Sequence, residues 1–158
     1  MVKTEPSLKA RAMRLLARRE HSRSELAHKL AIHAAESDDV AALLDELSAK
    51  GWLSDMRFAE QSIRARSRRF GPLKLAHYLR SKGVDDEVIG AGTRAAGSDG
   101  IAAIATIWRG RFNAAPANDR EKARQVRFLQ GRGFPLDAVL RFLKQEAENP
   151  DINPGDAS

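Results

Sequence analysis

At 158 residues, with a net charge of +6 and a pI near 10.1, the chain is long enough for one or two small domains, and its basicity suggests polyanionic partners. The absence of cysteine excludes disulfides and thiolate metal sites, and the four histidines (His21, His28, His33, His77) show no metal-ligand pattern, since His28 and His33 stand five apart rather than four. The N-terminus lacks the apolar core of a signal peptide and no apolar run could span a bilayer, so a soluble, cytoplasmic protein without membrane contact is expected.

Helix signals dominate from the start. Leu8, Ala12, Leu15 and Leu16 mark the apolar stripe of a first helix. "HSRSELAHKL" opens with Ser22 and Glu25 in capping-box spacing and places Leu26 and Leu30 on one face. In "SDDVAALLDELSAKGWL", Ser37 or Asp38 serves as cap, Val40, Leu43, Leu44 and Leu47 form the stripe, and Gly51 stops the helix. A second group begins at Asp55, with Phe58, Ala59, Ser62 and Ile63 on one side of a helix reaching about Phe70. Gly71-Pro72 breaks it, and Pro72 suits the first position of the next helix, which Leu75, Ala76 and Leu79 carry to Gly83. A weaker third helix starts at Asp85, where Gly90 and Gly92 each cost about 1 kcal/mol relative to Ala.

The third group starts near Asp99, with Ile101, Ile104, Ala105, Trp108 and Phe112 as its stripe and "NAAPAND" as a loop. Asn118 and Glu121 cap a helix carrying Val126 and Leu129. Pro135 opens a last helix with Leu136, Val139, Leu140 and Leu143. Residues 147–158, proline-rich and acidic, read as a disordered tail.

The groups repeat. "LAHYLRSKGVDDEVI" (Leu75–Ile89) aligns with "QVRFLQGRGFPLDAV" (Gln125–Val139), pairing Tyr78 with Phe128, Leu79 with Leu129, Lys82 with Arg132 and Gly83 with Gly133 at an offset of fifty. "ELAHKL" and "KLAHYL" share the register at forty-nine. The expected fold is all-α without a sheet: three tandem three-helix repeats (1–55, 56–97, 98–146) sharing apolar surface in an elongated, curved row.

Charge is unevenly spread. Basic against acidic residues number eight to three in 1–30, one to six in 31–56, eight to one in 57–82 and ten to eleven in 83–158. Against this background the run "IRARSRRFGPLKLAHYLRSKG" reads as a contact surface. Arg57, Arg64 and Arg68 fall on a stripe opposite Phe58, Ser62 and Ile63, Lys74, Arg80 and Lys82 extend the basic surface, and Arg69, a further contact candidate, lies on the edge of the apolar face. Arg66 falls among the apolar residues, where it must snorkel out or pair with a carboxylate. Trp52, Trp108, Tyr78 and Phe128 read as packing groups, which leaves no aromatic platform for single-strand stacking. No phosphate loop, dinucleotide fingerprint, nucleophile elbow or His-Glu-x-x-His motif occurs, so neither an enzyme nor a cofactor is expected.

Together, "LLARREHSRSELAHKL", "LSAKGWLSDMRFAEQSIRARSRRFGPLKLAHYLRSKGV" and "FLQGRGFPLDAV" resemble the bacterial RecX regulatory proteins, from about Leu15 to Val139. The central motif is a Phe-Ala pair at Phe58, an Arg-rich helix containing Arg66, then Gly71, Pro72, Leu75, Leu79 and Gly83. The resemblance implies a row of three-helix repeats. It also implies a cytoplasmic, non-catalytic modulator of the RecA recombinase, acting as a monomer with weak direct DNA binding. Such proteins bind the RecA filament on single-stranded DNA and inhibit ATP hydrolysis, strand exchange and coprotease activity, and so modulate recombination and the SOS response. After "ELAHKL" the chain departs from the pattern, reading "AIHAAESDD" without a Lys/Arg-x-Gly ending. The rival is a winged-helix transcription regulator, which needs a β-hairpin after Gly51 where the sequence continues into "MRFAEQSIRARSRR".

Overall fold

The computed structural model describes residues 4–96 and 99–149, the side chains of 99–102 excepted. Among them every regular element is a helix: α1 (Leu8–Arg18), α2 (Arg23–Ala31), α3 (Val40–Ala49), α4 (Asp55–Arg66), α5 (Pro72–Ser81), α6 (Asp86–Ala95), α7 (Asp99–Arg109), α8 (Asp119–Gly131) and α9 (Leu136–Glu148). Helix α4 follows Gly51 where a wing would have to stand, so the winged-helix reading fails. The side chain of Ile101, the boundary at 97–98 and the tail from 150 onward lie outside the described residues.

Local chemistry sets the helix ends. Ser22 Oγ accepts the Glu25 N–H at 3.0 Å and Asn118 Oδ1 accepts the Glu121 N–H at 2.9 Å, each the cap its sequence announces. Helix α3 starts later than expected, because Asp39 rather than Ser37 or Asp38 caps it through the Ala42 N–H. Asp38 is already taken, its carboxylate accepting the Ala35 N–H at 2.8 Å. Helix α4 stops at Arg66 instead of reaching Phe70, since the Arg69 and Phe70 N–H groups both fold back to the Arg66 carbonyl at 3.0 Å.

Three helices end in one device. Gly51, Gly83 and Gly133 have φ of 75, 75 and 99°. In each case the glycine N–H bonds three residues back and the next N–H bonds five back: Gly51 to Ser48 and Trp52 to Leu47, Gly83 to Arg80 and Val84 to Leu79, Gly133 to Gln130 and Phe134 to Leu129. At the last two, the residue after glycine is buried with the leucine it bonds. At the first, Leu53 fills that place and Trp52 is left 42% exposed, beside the Lys50 ammonium at 5.0 Å, so the expected core role of Trp52 does not hold.

By packing, the chain divides into two compact units, Met1–Arg64 with His77–Ala95, and Ala65–Ala76 with Ala96–Ser158. In the first, Ala12, Leu26, Leu30, Leu44, Leu47 and Leu53 form a core between α1, α2 and α3. Glycine 92 is buried, and a Cβ there would come 3.2 Å from the Ile63 Cδ1, so α6 lies close on α4. In the second unit, Ile104, Trp108, Leu129, Phe134, Val139 and Phe142 are the centre of the core, with Trp108 edge-on to Phe142 at 5.4 Å between centroids. Trp108 is the buried tryptophan that its stripe implies, and its indole N–H donates to Gln125 at 2.8 Å.

Each unit also holds a joint between consecutive repeats, made through serine side chains in the first and through backbone hydrogen bonds in the second. In the first, the Ser22 hydroxyl donates to the Lys82 carbonyl at 2.6 Å, and Gly83 lies so close to Ser24 that a Cβ would collide with it. In the second, the Gly71 N–H donates to the Arg132 carbonyl at 2.7 Å and the Leu73 N–H to the Gly133 carbonyl at 2.9 Å. A Cβ on Gly71 would stand 2.6 Å from the Gly133 oxygen, and one on Gly133 would stand 2.7 Å from the Lys74 nitrogen. Backbone meets backbone here, which only glycine permits.

Gly133→Ala therefore combines a left-handed backbone with a collision against main-chain atoms. Gly51 has a similar positive φ but open space around it, with nothing within 4 Å of a Cβ. Urea unfolding should show Gly51→Ala costing about 1 kcal/mol and Gly133→Ala at least about 2 kcal/mol more. Equal losses would mean that close approach at the joint contributes nothing.

Candidate partner-binding surface

Helix α4 is capped by Ser54, whose hydroxyl accepts the Arg57 N–H at 3.1 Å. Phe58, Ala59 and Ile63 bury one face, so Arg57 and Arg64, two turns apart, point outward on the other. Arg66 is half-buried at the end of the helix. Arg68 and Arg69 lie exposed in the turn that follows, and Pro72 then starts α5 as its first residue, with Leu75 and Leu79 buried.

The basic residues differ in what holds them. In the first unit, the Arg57 guanidinium donates to Glu20 at 2.9 Å and that of Arg80 to Asp86 at 2.7 Å. Lys82 is half-buried, 3.7 Å from Glu25 and 5.7 Å from the Tyr78 ring centroid. Arg64 is exposed on the same helix as Arg57. In the second unit, the Lys74 ammonium lies 4.9 Å from the Phe70 ring and 3.3 Å from the Gly131 carbonyl. The Arg132 guanidinium reaches the Arg69 carbonyl at 3.3 Å and stands over the Phe128 ring at 5.3 Å. The second joint thus gathers Arg69, Lys74 and Arg132. Charge counting missed Arg132; its match to Lys82 in the repeat register was the available signal.

Carboxylates organise the first joint. Glu25 receives two hydrogen bonds from the Arg19 guanidinium, at 2.9 and 3.0 Å, with Lys82 nearby. These contacts, Arg19 foremost, hold its carboxyl well below the ordinary range, at about 2. His21 is buried, with Nδ1 donating to the Arg19 carbonyl at 3.0 Å and Nε2 accepting from the Lys29 ammonium at 3.0 Å. Burial lowers its pKa, which keeps the ring neutral and this tautomer in place.

Models of the first, second and third three-helix domains of RecX match residues 9–47, 54–92 and 98–143. The chain is 44% identical over 143 residues to the regulatory protein RecX of Chromobacterium violaceum, covering 90% of this chain and 93% of that one. To its counterpart from Herminiimonas arsenicoxydans it is 40% identical over 151 residues, covering 96% and 100%. A crystal structure of RecX from Lactobacillus salivarius superposes with a TM-score of 0.77 at 18% identity, over 89% of this chain and 94% of that one.

A folded-state pKa of about 2 for Glu25, against an ordinary 4.5, gives stability that is complete above about pH 5 and is lost as the pH falls toward 2. Glu25→Gln should lower stability at neutral pH by about 1–3 kcal/mol and flatten the decline between about pH 5 and pH 3. Parallel pH profiles of urea unfolding for the two proteins would refute this role of Glu25.

Proposed function

The chain belongs to the RecX family of regulatory proteins, and from that premise we propose that it binds the RecA filament on single-stranded DNA and restrains RecA's ATP hydrolysis, strand exchange and coprotease activity. The observation that carries the reading is the match of three consecutive RecX domains spanning residues 9–143. The protein acts by binding and carries out no reaction of its own.

Electrostatic steering supports the mechanism. Residues 57–82 hold eight basic residues against one acidic, and such a surface is drawn to the negative potential of a nucleoprotein. Among the exposed cations of residues 57–82, the contacts are assigned first to Arg64 in the first unit and to Arg68, Arg69 and Lys74 in the second. A protein bound across neighbouring filament subunits opposes the motions that hydrolysis and growth require.

The test is single-strand-dependent ATP hydrolysis by RecA, with and without the protein. The wild-type chain should suppress it, less so as salt rises and screening shortens. Arg64→Glu with Arg68→Glu should raise the half-inhibiting concentration by about tenfold or more while leaving the circular dichroism unchanged. Unaltered hydrolysis with the wild-type chain would overturn the function; full inhibition by the double variant would overturn the assignment of these arginines.

A further inference from the structure

The basic residues of α1 and α2 take no part in the surface described above, although residues 1–30 hold eight basic against three acidic residues. Within the first unit, the C-terminal parts of these two helices border a groove of about 390 Å³. Arg11, Arg14 and Arg18, spaced three and four residues apart on α1, line one side, and Lys29 of α2 the other. The Lys29 ammonium is held in place by the Nε2 of buried His21 at 3.0 Å. Arg14 and Arg18 are exposed, and no carboxylate lines the groove among the described residues.

Its apolar surface is aliphatic. Leu15 and Leu30 form the floor, and Ile32, just past the end of α2, is 82% exposed at the rim. A single exposed isoleucine is ordinary. One set at the rim of a groove lined by cations asks for a partner that is both anionic and apolar. Single-stranded nucleic acid is the poorer match, because its sites stack bases on aromatic platforms, and of the residues lining this groove only His33 carries a ring. Guanidinium forks suit carboxylates, and an aliphatic floor suits a leucine-like side chain; an apolar centre with a charged rim is the common anatomy of protein contacts.

We propose that the groove between α1 and α2 docks an acidic protein segment bearing a large aliphatic side chain, with carboxylates on Arg14 and Arg18 and the aliphatic group against Ile32 and Leu15. Taken with the function proposed above, on which this last step rests, the segment belongs to the protein subunits of the filament and not to its DNA. The basic surface of α4 and α5 and this groove are then two separate contacts.

The test uses the full chain and fluorescein-labelled probes followed by anisotropy: a peptide of repeated Glu-Glu-Leu, one of repeated Glu-Glu-Ser, and an oligothymidylate. The leucine peptide should bind about tenfold more tightly than the serine peptide, the worth of burying one such side chain. Ile32→Ser should erase that preference. Arg14→Glu with Arg18→Glu should abolish binding of both peptides, and Arg64→Glu with Arg68→Glu should leave it unchanged. All five positions are exposed, so unchanged circular dichroism is expected of every variant. Equal affinity for the two peptides, no binding at all, or an oligothymidylate preference removed by Arg14→Glu with Arg18→Glu would each overturn the proposal. These titrations contain no recombinase. A wild-type chain that fails to restrain RecA would therefore count against the function proposed above and leave the peptide result standing.

Discussion

The contact on which the rest depends is the joint between successive repeats, where a helix-end carbonyl is received. The carbonyl before a helix-ending glycine, at Lys82 or Arg132, is received at the start of the preceding repeat's second helix, by the Ser22 hydroxyl or the Gly71 N–H. A helix C-terminus carries partial negative charge and a helix N-terminus partial positive charge, so the two ends attract as well as bond. Each three-helix group buries only a small core of its own, and the joint is where the next repeat adds to it. The same contact positions the cations: Lys82 and Arg132 are the very residues whose carbonyls are received, which sets their side chains beside Glu25 and Arg69.

Much of this was legible because it is local. A glycine after a leucine-striped helix announces the two reverse hydrogen bonds of its own turn, and the offset of fifty between Gly83 and Gly133 marks equivalent joints. Ser22 and Asn118 cap as their spacing indicates. Where three cap-forming residues stand in a row, as at Ser37, Asp38 and Asp39, the sequence could not choose, because the outcome turns on Ala35 claiming Asp38. Trp52 was misread for a similar reason: either it or Leu53 could cover Leu47, and Leu53 does.

The basic surface shows a different limit. Its existence follows from counting, but its division does not, since Arg57 meets Glu20 from 37 residues away and Arg132 meets Arg69 from 63. Half-exposed pairs of this kind contribute little stability. Their effect is to orient: a guanidinium bonded to a neighbouring carboxylate turns its donors toward that partner.

The joint carries its own stop signal. In register, the amide that receives Arg132 is Gly71 in the middle repeat and Glu121 in the last. Helix α8 begins one turn earlier than α5 does relative to that position, running 13 residues against 10, and Asn118 Oδ1 already holds the Glu121 N–H. The Glu121 carboxylate in turn takes the Ala117 N–H at 2.8 Å. The contact that Gly71 makes is therefore not repeated at the third register position, where the amide is already satisfied by the cap of its own helix.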